Sequence, residues 1–393
     1  RYMYAPDVVK GNDGRYYLYY ALSSPAFTNH ISVAVSDSPA GKYEYYGYVK
    51  NMDGTVFDRN ITFDPGLLND NGNIYLYYGW AISAPNFRSM SSLIKKIQKK
   101  LLYPILERKM FDKTSEQIAR EPNGIQGANV VKLDSDMLTV ISEPKRIVPG
   151  IMDSDNTSFK GHAFFEASSI RKINDKYYFI YSSEYYHELC YAISDYPDRG
   201  FKYQGVLISS ADIFRDDRLN PLQTEVPTNN HGSLVKVKDE WYIFYHRHTH
   251  NTAYSRQGCA EKIEMLEDGT FKQAEVTTQG LNNGPLKCEG TYPAAIACKI
   301  ANGKYPYSLK NKVFPHVDHE NNERFIKDII NNTRLVYKYF DFNGTYNLNL
   351  KIRGNGKGTI NVLINNEKKS SIEISPMNSW HTVSTNIEAN GIY

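Results

Sequence analysis

The chain has 393 residues, with 46 Lys and Arg against 43 Asp and Glu, a formal charge of +3 at pH 7. That balance gives no argument for a nucleic-acid partner or an anionic membrane surface, and no stretch is long and apolar enough to span a bilayer as a helix. The excess is aromatic, with 32 Tyr, 17 Phe and 3 Trp; such residues favour strands, and Tyr and Trp also present a flat face and a polar tip to sugars.

In chain order, a polar residue precedes a Tyr-rich run four times, always at nearly the same distance. Asp7 stands before Asp13-Gly14-Arg15-Tyr16-Tyr17-Leu18-Tyr19-Tyr20. Asp64 stands before Asn71-Gly72-Asn73-Ile74-Tyr75-Leu76-Tyr77-Tyr78. Glu166 precedes Asn174-Asp175-Lys176-Tyr177-Tyr178-Phe179-Ile180-Tyr181, and His231 precedes Lys238-Asp239-Glu240-Trp241-Tyr242-Ile243-Phe244-Tyr245. The Asp-Gly, Asn-Gly and Asn-Asp pairs predict tight turns between strands. A second repeat matches Val33–Gly47 with Tyr191–Gly205 through Ser36-Asp37-Ser38-Pro39 and Ser194-Asp195-Tyr196-Pro197, and predicts outer strands. The units are the size of propeller blades carrying long loops. The fold class is therefore all-β, a β-propeller in which four blades are recognisable.

Residues 90–118 break the pattern with helical spacing and many Lys, and read as a helix inserted in a loop with a solvated basic face. Composition shifts near residue 300, and 301–324 read as a junction. Beyond it, Leu348-Asn349-Leu350-Lys351-Ile352 and Ile360-Asn361-Val362-Leu363-Ile364, joined through Gly354-Asn355-Gly356-Lys357-Gly358, predict a β-sandwich with one wetted face. The expected domains are a propeller over 1–305 and a sandwich module over 316–393. Both ends fall inside strand patterns, at Arg1-Tyr2-Met3-Tyr4 and Gly391-Ile392-Tyr393, so each domain is expected to be incomplete. No signal peptide is visible; the expected location is secreted or at the cell surface, with the signal region outside this chain. Cys190, Cys259, Cys288 and Cys298 form no C-x-x-C pair, so their spacing predicts no metal site and fixes no pairing.

In a propeller the innermost strands converge on one channel mouth, which Asp7, Asp64, Glu166 and His231 would ring. Bland readings stay open: Asp7 as a strand cap after Ala5-Pro6, Asp64 as a turn residue before Pro65, His231 as a structural histidine. Glu166 is the sharpest candidate. It follows Phe164-Phe165 and precedes Ala167-Ser168-Ser169, so burial should raise its pKa and suit it to be a general acid. Phe165 is a candidate sugar contact beside it. Paired carboxylates in an aromatic pocket fit glycoside hydrolysis.

The runs Tyr4-Ala5-Pro6-Asp7-Val8-Val9, Phe63-Asp64-Pro65-Gly66, Phe165-Glu166-Ala167-Ser168 and His231-Gly232-Ser233, in that order over about residues 1–300, resemble glycoside hydrolase family 43. The resemblance implies a five-bladed propeller and an inverting glycosidase of arabinose- or xylose-containing polysaccharide. It also implies Glu166 as general acid and Asp64 as the residue that tunes its pKa. His231 would be a channel histidine, in some members near a calcium ion, and Arg256 a basic residue by the site. No cofactor is then required, although a structural calcium held through water near His231 is allowed. The partner would be an arabinoxylan-like saccharide; oligomeric state is left open. The family's general base has no match here, because it belongs to a blade expected before Arg1. Residues from about 316, with Arg353-Gly354-Asn355-Gly356 and Ser379-Trp380-His381, resemble a family 6 carbohydrate-binding module, in which Trp380 is the stacking candidate. Two other readings remain: a glycan-binding propeller without catalysis, and a retaining hydrolase of the fructan or sucrose type.

Overall fold

The computed structural model describes residues 2–23, 29–121, 126–211, 229–250, 255–302, 305–306 and 313–393. Tyr254, beside Arg256, and part of the expected junction near Gly303 lie outside them. The chain forms two compact units, Arg1–His248 with Arg256–Glu275, and Thr249–Ser255 with Val276–Tyr393. The division falls earlier than the expected junction, because Val276 onward packs with the C-terminal strands.

The first unit contains four antiparallel meanders. They are β1 (Tyr2–Lys10), β2 (Tyr16–Ser23), β3 (Asn29–Ser36) and β4 (Glu44–Tyr48); then β5 (Gly66–Asp70), β6 (Asn73–Trp80), β7 (Gly127–Leu133) and β8 (Lys145–Pro149). Next come β9 (Phe164–Ile173), β10 (Lys176–Ser183), β11 (Glu188–Ser194) and β12 (Lys202–Ser209), and finally β13 (Ser233–Val237), β14 (Glu240–His248) and β15 (Arg256–Ile263). Each Tyr run is the second strand of its sheet, as the turn pairs predict. The two Ser-Asp-x-Pro segments also fold alike: Ala34 pairs with Tyr45 and Ala192 with Tyr203, each just after a register shift. Among the described residues there are four such sheets, not five.

Why the runs are rich in Tyr on both faces follows from stacking. In β6, Ile74, Leu76 and Tyr78 pack with Tyr17, Tyr19, Ile31 and Val33 of the first sheet. Tyr75 and Tyr77 point the other way, onto Phe179, Tyr181 and Cys190 of the third. A strand between two sheets has no wet face, so it reads as a continuous apolar run rather than an alternation. Each such side chain adds about 1.5–3 kcal/mol by leaving water. The buried hydroxyls still need partners, and find them on carbonyls: Tyr77 donates to Pro197 O at 2.7 Å and Tyr181 to His162 O at 2.7 Å.

The interruption between β6 and β7 is helical, with α1 (Pro85–Arg88), α2 (Ser92–Phe111) and α3 (Ser115–Ala119). Its basic face is not simply solvated. Lys95 is buried against Asp155 at 2.7 Å and Lys99 meets Asp153 at 2.8 Å, while Leu93, Ile94, Ile97, Leu101 and Ile105 are exposed. Lys95 and Glu107 share the buried side of this helix with Tyr103 and Phe111, while several apolar residues of its first half face out.

The second unit carries β16 (Leu286–Lys287), β17 (Lys299–Asn302), β18 (Tyr305–Pro306), β19 (His316–Glu320), β20 (Glu323–Lys327) and β21 (Thr333–Val336). These are followed by β22 (Phe340–Gly354), β23 (Gly358–Ile364), β24 (Glu367–Ile374) and β25 (Met377–Ile392). Its sheets have two or three strands each. The expected sandwich is present only as a small two-layer core, in which Val362 and Ile364 of β23 pack on Phe342, Leu348, Ile387 and Ala389 of β22 and β25.

Candidate active site

The inner strands β1, β5 and β9 are neighbours in turn, and a carboxylate fastens each to the next. Asp7 Oδ2 accepts the Leu67 N–H at 2.8 Å, and Asp64 Oδ2 accepts the Ala167 N–H at 2.9 Å. Glu166 Oε1 then accepts from Asn229 Nδ2, just before β13, at 2.8 Å. Close approach makes this reach possible. At Gly66 an added Cβ would lie 2.6 Å from Ser168 O, so β5 can meet β9 only without a side chain there.

Local backbone is bent where these groups are delivered. Asp64 has φ +47° and Ala167 φ +69°, left-handed values that cost L-residues energy and that cluster at functional sites. The pairing of β9 with β10 shifts register beside Glu166, a bulge that turns its side chain inward. The segment leading to Asp64 is held by the buried Lys113–Glu121 ion pair at 2.7 Å, because Glu121 Oε1 also accepts the Asn60 N–H at 2.7 Å.

Asp64, Glu166, His231, Arg256 and Asn229 line one cavity of about 680 Å³, open mouth included, together with Tyr4, Ala5, Phe63, Trp80, Met110 and Phe111. Its apolar side is an aromatic chain: Trp80 lies 5.3 Å from Phe111, and Tyr4 lies 5.4 Å from Phe63 between ring centroids. The polar side is a buried carboxylate pair. Burial, then the Glu166 charge, holds the Asp64 carboxyl well above the usual range. Burial raises Glu166 too, opposed by its Asn229 hydrogen bond and by Arg256. Burial of two neighbouring carboxyls disfavours ionising both, which is how a general acid is made to keep its proton. His231 Nδ1 is 4.0 Å from Asp64 Oδ2, and burial and Arg256 push its pKa down to about 4, so it is neutral here.

The expected residues thus divide. The structure brings Glu166, Asp64, His231 and Arg256 together. Asp7 is not part of the cavity lining: its carboxylate accepts backbone N–H groups at Val8 and Leu67, and its role is to join β1 to β5. Phe165 is not in the lining either; it stands 6.2 Å from Trp80 and 4.7 Å from Tyr186, and so supports the Trp80 ring. Trp380 belongs to the second unit, 5.5 Å from Phe325 with the Arg353 guanidinium 4.6 Å over its ring. Trp80, Met110 and Phe111 carry no sequence repeat that would have announced them.

Calcium finds little to hold it. Calcium takes six to eight oxygen ligands. Among the described residues lining the cavity, the side-chain oxygens are those of the two carboxyls, already bonded to Ala167 and Asn229, and those of the Asn229 amide and the Tyr4 hydroxyl, and the Arg256 cation shares the space. The described residues do not fit calcium as direct ligands.

A buried pair of neighbouring carboxyls in a cavity walled by aromatic rings is the equipment of a glycoside hydrolase. The sequence profile of glycosyl hydrolases family 43 matches residues 1–271. A xylosidase/arabinosidase of Thermoclostridium stercorarium is 39% identical over 98% of this chain and 77% of its own length. A xylosidase/arabinosidase of Bacteroides ovatus is 30% identical over 60% of this chain and 61% of its own. Among solved structures, a family 43 β-xylosidase/α-arabinofuranosidase from a compost microbial metagenome, in complex with xylotriose and described as a calcium-free form, is 26% identical. It covers 70% of this chain and 73% of that one, with a TM-score of 0.49. The chain belongs to glycosyl hydrolases family 43.

Proposed function

We propose that this hydrolase releases arabinofuranosyl or xylosyl units from hemicellulose of the arabinoxylan type, with inversion at the anomeric carbon. Glu166 is the general acid that protonates the leaving glycosidic oxygen. Asp64, coupled to Glu166 in the same buried pair, tunes its protonation and holds the geometry; Arg256 and neutral His231 contact the sugar hydroxyls; Trp80 and Phe111 hold its ring. The observation that carries this reading is the buried Asp64–Glu166 pair opening onto the aromatic cavity. The wall supplied by Met110 and Phe111 favours attack at chain ends. The substrate class follows the names of the Thermoclostridium and Bacteroides relatives. A polymer too large to enter a cell would place the enzyme outside it or on its surface. In the second unit, the half-buried Trp380 ring offers a further glycan contact.

Inversion needs a base and a water opposite the acid. Among the described residues lining the cavity only Asp64 and Glu166 carry carboxyls, and both are assigned, so we infer that the base comes from an aspartate outside those residues. The same observation is what favours the second reading, a glycan-binding propeller without turnover. Glu166→Gln separates the two. On xylo-oligosaccharides, whose leaving alcohol needs a proton, turnover should fall roughly 10²–10⁴-fold. On an aryl glycoside with an activated leaving group the loss should be smaller. Equal, mild losses on both substrates would remove Glu166 from the acid role, and absence of turnover in the unsubstituted full-length protein would favour binding alone. The anomer released, read by NMR, distinguishes inversion from the retaining alternative.

A further inference from the structure

Away from the cavity, the third sheet assembles a cluster that the chemistry above does not use. His162 precedes β9, and Glu188 and Cys190 lie two apart on β11, so they share one face of that strand. His162 Nδ1 is 3.1 Å from Glu188 Oε2, and Cys190 Sγ is 3.8 Å from each of these atoms. A tetrahedral zinc, with bonds of about 2.0–2.3 Å, sets its donors roughly 3.3–3.6 Å from one another. The triangle already present is within a few tenths of an ångström of that size.

The supporting groups match a built site. Tyr203 stacks on the His162 ring at 4.6 Å with planes 8° apart, which fixes the ring plane. Ser183 Oγ donates to Glu188 Oε2 at 2.8 Å, and Tyr181 holds the His162 carbonyl. Such partners orient ligands in metal sites. Cys190 is fully buried, but the His162 side chain is 30% exposed, which leaves a way in. One sulfur, one imidazole nitrogen and one carboxylate oxygen form a mixed set that suits zinc or cobalt and not calcium or magnesium.

We propose that His162, Glu188 and Cys190 form a three-donor site for a zinc-type divalent cation, with a fourth position left for water. The spacing of the cysteines predicts no such site, because its donors come from one loop and one strand rather than from a C-x-x-C pair. The bound ion ties the stretch that leads into β9 to β11, and β9 carries Glu166. The site does not depend on the role given to Glu166.

The test uses the full-length protein after chelator treatment, with Co²⁺ as a coloured stand-in for Zn²⁺. One equivalent of Co²⁺ should give a sulfur-to-cobalt charge-transfer band, Zn²⁺ should abolish it by displacement, and Zn²⁺ should raise the thermal midpoint by several degrees. Cys190→Ala and His162→Gln should lose both the band and the midpoint shift. If Cys190→Ala fails to fold, His162→Gln decides, since its ring lies at the exposed edge. The proposal is overturned if stoichiometric Co²⁺ gives no sulfur band, if the band survives either substitution, or if Zn²⁺ stabilises the protein without one. In the last case the ion sits elsewhere, for example at His250, His316 and Asp318 of the second unit.

Discussion

Asp7 and Asp64 occupy equivalent places in successive sheets and do different work. Both precede a Tyr hairpin, both follow a left-handed backbone turn, with φ +45° at Ala5 and φ +47° at Asp64 itself, and both accept an N–H from the next inner strand. The difference is in what surrounds them. Asp7 spends both oxygens on backbone N–H groups, with Arg171 as the nearby cation. Asp64 accepts through one oxygen among the described residues, faces Glu166, and opens onto a cavity. The repeat supplies a clasp between sheets; a clasp becomes chemistry where a second carboxyl and space for a substrate lie beside it.

Substitutions can break this comparison. Asp64→Asn should have the larger effect, lowering kcat/KM on xylo-oligosaccharides by about 10²-fold while leaving the thermal midpoint close to that of the unsubstituted protein. A midpoint that collapsed with activity would make Asp64 a clasp like Asp7. Asp7→Ala should show the converse. It leaves the Leu67 N–H without its acceptor, at a cost of about 1–3 kcal/mol seen in denaturant unfolding, with kcat per folded molecule nearly unchanged. A loss of kcat without a loss of stability would return Asp7 to the site.

The smallest effect sharpens the role of Glu166. Its hydrogen bond from Asn229 favours the ionised form, so Asn229→Ala should raise the Glu166 pKa further. An acid is active while protonated, and activity is lost as pH rises through its pKa. The alkaline limb of kcat/KM should therefore move to higher pH in Asn229→Ala. A shift to lower pH would contradict the assignment.

Much of this was legible in the sequence because it is local. Tight-turn pairs and Tyr runs specify hairpins, and the nearly equal spacing of Asp64, Glu166 and His231 reflects a similar place at or near the start of each inner strand. What separates Asp7 from Asp64 is not local, since it depends on Arg171 and Glu166, far along the chain. Trp80 looks like any other strand-end aromatic until Phe111 meets it from α2. The helix itself was readable, but not its orientation: Lys95 turns inward because Asp155, in a distant loop, waits there. The His162–Glu188–Cys190 cluster was hidden for the same reason, as was the small extent of the sandwich core beyond Val276.

The insertion between β6 and β7 begins and ends on paired residues of one sheet, with Trp80 opposite Gly127. Its length is thus free of the strand register of that sheet, although Glu121 near its end still holds the segment that leads to Asp64. Evolution can lengthen, trim or exchange the helical part of this segment, altering which glycan fits against Met110 and Phe111, as long as the Lys113–Glu121 pair that steadies the approach to Asp64 is kept. For such an enzyme, taste in substrates is a removable part.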